Sequence, residues 1–286
     1  MTNVKPTYNR QRFLLAFIRQ LNEAVSSTDM QKLVFMQTME KESKFYEFLP
    51  YKFGAYSFQL AEDIDILRRD GFITVEDTKI RAAGEYLHED LFDIPSERGD
   101  DLIRKAYRAY PYYTLNSEII PRLFGKREAN FFISERQKYS QSVQMLFTIG
   151  YEGKTIEAFV NTLIQNGIKL LCDVRKNPYS RKFGFSKNKL EHITGTVGIK
   201  YVHIPSLGIE SDKRSSLNTN EDYKTLFDNY ARTLPVLDQC IDWVHSLLRA
   251  NVRIALMCFE KNAAMCHRHV IKDYMTNAYK LRSQDI

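Results

Sequence analysis

The chain has 286 residues, 44% hydrophobic and 13% aromatic, which is enough apolar material for two domains that each bury a core. No stretch approaches the roughly 20 apolar residues that cross a bilayer, and Met1-Thr2-Asn3-Val4-Lys5-Pro6 lacks the apolar region of a secretory signal, so a cytoplasmic location without a membrane partner is expected. A net charge of +6 permits a polyanionic partner without requiring one.

The part up to about residue 135 reads as helical with a small sheet. Arg12 to Leu21 carries apolar residues at helical spacing, and Ser27-Thr28-Asp29 offers caps for a second helix over Met30 to Met39. Phe58 to Asp70 puts Leu60, Ile64 and Leu67 on one face before Gly71 stops it, and Phe72 to Ala82 reads as two strands around a polar turn. Helix, helix, helix, hairpin is the order of a winged helix. Residues Tyr51 to Ser57, with Leu60, Asp63, Leu67 and Gly71, resemble the winged-helix-like module of some antitoxin-type and phage-associated bacterial proteins. Arg68, Arg69, Lys79 and Arg81 are then candidate DNA contacts, the alternative being that they merely solvate a face. Asp100 to Tyr110 is helical and leads to an aromatic turn. The charged run Lys126 to Lys138 and the polar Tyr139 to Ser142 read as linker, dividing the chain into 1–135, 136–144 and 145–286.

From Met145 the pattern changes. Strands are expected at Met145 to Gly150, Lys169 to Val174, Tyr201 to Ile204 and Arg253 to Cys258. Helices are expected at Thr155 to Gln165, Lys187 to Ile193, over most of Tyr223 to Arg249, and from about His267 to Tyr279. This alternation predicts an α/β, three-layer domain with a mainly parallel sheet, preceded by the mostly helical winged-helix-like domain.

Four strand ends then share one sheet edge: Gly150 to Thr155, Asp173-Val174-Arg175, Pro205 to Gly208, and Phe259-Glu260 through His269. Asp173 and Glu260 follow apolar runs and are the candidate catalytic carboxylates; the plainer alternative for Asp173 is a pairing with Arg175. Arg175, Arg181 and Arg268 offer forked donors for phosphate, His267 and Ser180 are further candidates for substrate binding, and Tyr151 or Tyr179 for stacking on a base. Cys266, at a helix start beside Arg268, is a candidate nucleophile or else a small buried residue. The four cysteines point to reduced thiols and not to a disulfide framework. The spacing of Cys258, Cys266, His267 and His269 matches no familiar zinc pattern, so no metal site and no cofactor are expected.

At these residues the chain resembles the bacterial domain-of-unknown-function family 488, over about residues 146–279. The matching features are Thr148-Ile149-Gly150-Tyr151, Asp173-Val174-Arg175 with Pro178, Ser180 and Arg181, Tyr201 with Pro205, Leu207 and Gly208, and Cys258-Phe259-Glu260 with Cys266-His267-Arg268. Ala264, where the family leads one to expect proline, and Ile209, where a second glycine is expected, depart from the pattern. The resemblance implies the α/β fold and the edge site but brings little settled activity. The residues themselves lead to an enzyme acting on nucleic acid, expected to be DNA, that hydrolyses the N-glycosidic bond of a modified or damaged base. The alternatives are a DNA-binding sensor with a nucleotide-binding α/β domain, and a cysteine-dependent rhodanese-like or phosphatase-like enzyme.

Overall fold

A computed structural model describes residues 5–41, 44–85, 87, 91–210, 212–214, 217 and 219–286. The chain divides into two units, Met1–Gln137 and Lys138–Ile286. The first begins α1 (Asn9–Leu21), β1 (Val25–Ser26), α2 (Ser27–Lys41), β2 (Leu49–Tyr51), β3 (Gly54–Tyr56), α3 (Phe58–Arg69), β4 (Ile73–Glu76), β5 (Lys79–Ala82). α3 starts where the Ser57 hydroxyl accepts a hydrogen bond from the Leu60 N–H, and it buries Leu60, Ile64 and Leu67 at helical spacing. Asp77 and Thr78 both take positive φ, which gives the β4–β5 hairpin the turn that matches strand twist. β1 pairs with β5 and completes a three-stranded antiparallel sheet, β1-β5-β4. The order is thus helix, strand, helix, hairpin, helix, hairpin, the β2–β3 hairpin being an element that the sequence does not announce.

The unit continues through α4 (Gly99–Ala109), α5 (Ile120–Leu123) and α6 (Lys126–Glu135). The last corrects the linker reading: Ala129 and Phe132 of the charged run are buried and cluster with Tyr107, Leu123 and Phe124. Charges at Lys126, Arg127 and Glu128 hide an apolar spacing that begins only at Ala129. No helix among the described residues is long and apolar enough to cross a membrane.

The second unit runs β6 (Met145–Gly150), α7 (Ile156–Gln165), β7 (Leu170–Asp173), α8 (Lys187–Thr196), β8 (Lys200–His203), α9 (Asn220–Ala231), α10 (Asp238–Asn251), β9 (Arg253–Cys258), α11 (Arg268–Tyr279), β10 (Ser283–Asp285). All five strands are parallel, in the order β10-β6-β9-β7-β8. α7 shows how the layers hold. Thr155 caps it through the Ala158 N–H, Gly167 ends it with φ +63°, and Ile156, Phe159, Val160 and Leu163 are buried, each contributing about 1.5–3 kcal/mol. α10 and α11 pack on one face against Leu146, Cys172, Leu256 and Cys258. Right-handed crossovers put α7 and α8 on the other. The expected long helix after Tyr223 is two, broken around Pro235. β10 is absent from the sequence reading because Ser283-Gln284-Asp285 carries no apolar residue.

The strand order positions a site. The connection after β7 leaves toward β8 and the connection after β9 leaves toward β10, so neighbouring strands send their chains in opposite directions. That is the switch point at which parallel sheets open a crevice beyond their carboxyl ends.

Candidate functional site

On the β7 side of the crevice, Asp173 is fully buried and all its acceptor positions are used. Oδ1 accepts from the Arg175 N–H at 3.1 Å and Nε at 2.8 Å, and Oδ2 from Arg175 Nη2 at 2.5 Å and Tyr201 Oη at 2.7 Å. Burial and the Asp173 charge push the Tyr201 phenol up, so it stays a donor. Burial pulls the Arg175 guanidinium down, but the bonds to Asp173 outweigh it and hold the group above the usual arginine value. Arg175 Nη1 donates to Tyr151 Oη at 3.1 Å. Asp173, a candidate acid or base, and Arg175, a candidate phosphate fork, are thus bonded to each other and to Tyr201 and Tyr151. Tyr151 is 4% exposed and stacks on Phe185 at 4.3 Å between centroids, so it belongs to the core and offers no platform to a base.

On the β9 side Arg268 is also structural. It is buried, and donates from Nε to Thr148 Oγ1 at 3.2 Å, from Nη1 to the Glu260 carbonyl at 2.6 Å and from Nη2 to the Lys261 carbonyl at 3.2 Å. It braces the turn after β9. Gly150 lets that turn approach, since a Cβ there would overlap the Glu260 carbonyl oxygen. Cys258, at the end of β9, and Cys266-His267, at the start of α11, converge: both sulfurs and His267 Nδ1 lie within 4.8 Å of one another. Burial alone would raise the Cys266 thiol, but the hydrogen bond with Cys258 and the nearby Arg268 charge bring it below the usual value. Cys258, hydrogen-bonded to Cys266 and buried, moves up.

Beside this cluster lies a cavity of about 280 Å³, lined by Glu260, Met265, Cys266 and His267 on one side and Tyr223, Leu226 and Phe227 of α9 on another. Of the two carboxylates singled out in the sequence, only Glu260 is among its described lining residues.

Residues 155–275 match the family model described as Domain of unknown function DUF488. The match lies in the carboxyl-terminal region. No curated protein and no solved structure matches the chain. The DUF488 region holds Asp173, Arg175, Glu260 and the whole Cys258–Cys266–His267 cluster, while Tyr151 precedes it.

The other candidates of the DUF488 region lie on the loop after β7. Tyr179 is 71% exposed and Arg181 is exposed, whereas the Ser180 hydroxyl accepts from the Lys182 N–H at 3.2 Å and serves the loop. In the first unit Arg68, Arg69, Lys79 and Arg81 are exposed, with Arg68 paired to Asp65 and Arg69 to Asp70. Exposed pairs of this kind are worth about 0–1 kcal/mol, so they leave both arginines free to exchange partners. The sequence reading missed the aromatic wall of the cavity. Its signal is the i, i+4 spacing of Tyr223 and Phe227, which places both rings on one side of α9.

Proposed function

We propose that the carboxyl-terminal unit is a hydrolase that takes a single base of a nucleic acid into the cavity between α9 and the turn after β9 and cleaves its N-glycosidic bond. The observation that carries this reading is the cavity itself. At about 280 Å³ it lies just below the roughly 300–1,000 Å³ of ordinary ligand sites, a size suited to one base and too small for a dinucleotide. Tyr223 and Phe227 offer ring faces and edges to a planar heterocycle. Glu260 is the carboxylate at hand to stabilise positive charge developing on the sugar, or to activate the attacking water.

Asp173 and Arg175 have a different part. They fix Tyr201 and the start of the 174–186 loop, from which exposed Tyr179 and Arg181 can meet a neighbouring base and the phosphate backbone. The test is incubation of the full chain with oligonucleotides carrying deaminated, alkylated or oxidised bases. Released base and abasic sites are expected, reduced at least about 100-fold in Glu260→Gln, with Tyr179→Ala and Arg181→Ala raising KM more than they lower kcat. Base binding without release on any of the substrates would instead favour a sensor. Undiminished release in Glu260→Gln together with loss in Cys266→Ala would favour cysteine-dependent chemistry.

A further inference from the structure

We infer that Cys258, Cys266 and His267 form a binding site for a divalent transition metal, foremost zinc, whose fourth coordination position opens onto the cavity. His267 Nδ1 is 3.9 Å from Cys258 Sγ and 4.0 Å from Cys266 Sγ. A tetrahedral zinc, with bonds of about 2.3 Å to sulfur and 2.0–2.1 Å to nitrogen, holds its ligand atoms about 3.6–3.8 Å apart. The two nitrogen–sulfur distances therefore need to close by only a few tenths of an ångström, and the two sulfurs lie within 4.8 Å of each other.

The imidazole is already turned for the task. Its Nε2 lies 3.0 Å from the Val174 carbonyl, and a carbonyl only accepts, so Nε2 carries the hydrogen and Nδ1 presents its lone pair to the sulfurs. A carbonyl behind the distal nitrogen is the outer-shell support that metal-bound histidines usually have, and it fixes both tautomer and ring plane. Two sulfurs and one imidazole select zinc over magnesium or calcium. Three protein ligands, not four, is the arrangement of sites that keep a position for water or substrate. Cys266 and His267 both line the cavity, so that position faces it.

The scaffold is rigid at each ligand. Cys258 sits in register with Gly150 on the neighbouring strand, and the Arg268 brace fixes the first turn of α11. The ligands come from a strand end and a helix start that the sheet brings together, which is why their sequence spacing resembles no zinc motif. Metal binding here does not depend on whether the cavity takes a base.

The test uses the full reduced chain, titrated with Co²⁺ and then Zn²⁺. One equivalent of cobalt is expected to bind, with visible d–d bands and thiolate-to-cobalt charge-transfer absorption, and to be displaced by zinc. Cys258→Ser and His267→Gln should each weaken binding at least about tenfold, while Cys240→Ser, outside the cluster, should not. The wild-type spectrum reports the ligand set even if a variant fails to fold. Absence of thiolate charge transfer in the reduced wild type would overturn the inference. So would a spectrum unchanged in the Cys258→Ser, Cys266→Ser double variant, or formation of a Cys258–Cys266 disulfide in a chain that takes up no metal when reduced.

Discussion

Asp173 commits both carboxylate oxygens to Arg175 and Tyr201 inside a fully buried site. Breaking a buried ion pair by removing one partner costs about 3–5 kcal/mol, because the remaining charge stays in a poorly solvating interior. Asp173→Asn should therefore lower the urea-unfolding free energy by that amount, and a loss under about 1 kcal/mol would contradict the structural role. Lys32 gives a pH prediction in the first unit. It is buried, its Nζ donates to the Ala55 carbonyl at 2.6 Å, and burial, partly opposed by Asp29, lowers its pKa to about 7. Between that value and the ordinary lysine value of 10.5 the unfolded chain binds a proton that the folded one lacks. Stability should then rise with pH across this window, by up to about 1.4 kcal/mol per pH unit. Denaturant unfolding at two pH values inside the window should show the rise in wild type and its loss in Lys32→Met; equal slopes would contradict it.

At the scale of elements, the close approach of β6 to the turn after β9 positions Glu260. A Cβ on Gly150 would overlap the Glu260 carbonyl oxygen that Arg268 also holds. Gly150→Ala should cost about 1–3 kcal/mol, as overpacking does, and should lower base release by displacing Glu260. Unchanged melting and activity would show that the approach is not needed.

The same elements show what was legible in the sequence. β6, β7 and β9 were readable because a buried parallel strand is a continuous apolar run. β1, β2, β3 and β10 were not, because strands of two or three residues hold their place through partners and not through pattern. The gathering of these residues at the strand ends was readable, and their contacts were not. Whether Asp173 acts on substrate or on Arg175 is decided by Tyr201 on another strand, and whether Cys258 meets His267 is decided by the β9–α11 turn.

For the whole molecule, the net charge of +6 is an electrostatic property that outlasts any single pairing. If the first unit holds DNA through Arg68, Arg69, Lys79 and Arg81, replacing all four with alanine should weaken binding uniformly across sequences. The salt dependence should flatten by about one unit of slope for each phosphate that is no longer neutralised. Fluorescence anisotropy on one duplex at several salt concentrations checks this, and an unchanged slope would remove these residues from the interface. Cleavage of a base from a nucleic acid in the cavity beside Glu260 is tested by one time course: release of free base from modified-base oligonucleotides by wild-type chain and by Glu260→Gln at matched thermal stability. Release by the wild type and its near abolition in the variant are expected. No release by the wild type across the base panel, or equal release by both, would contradict it.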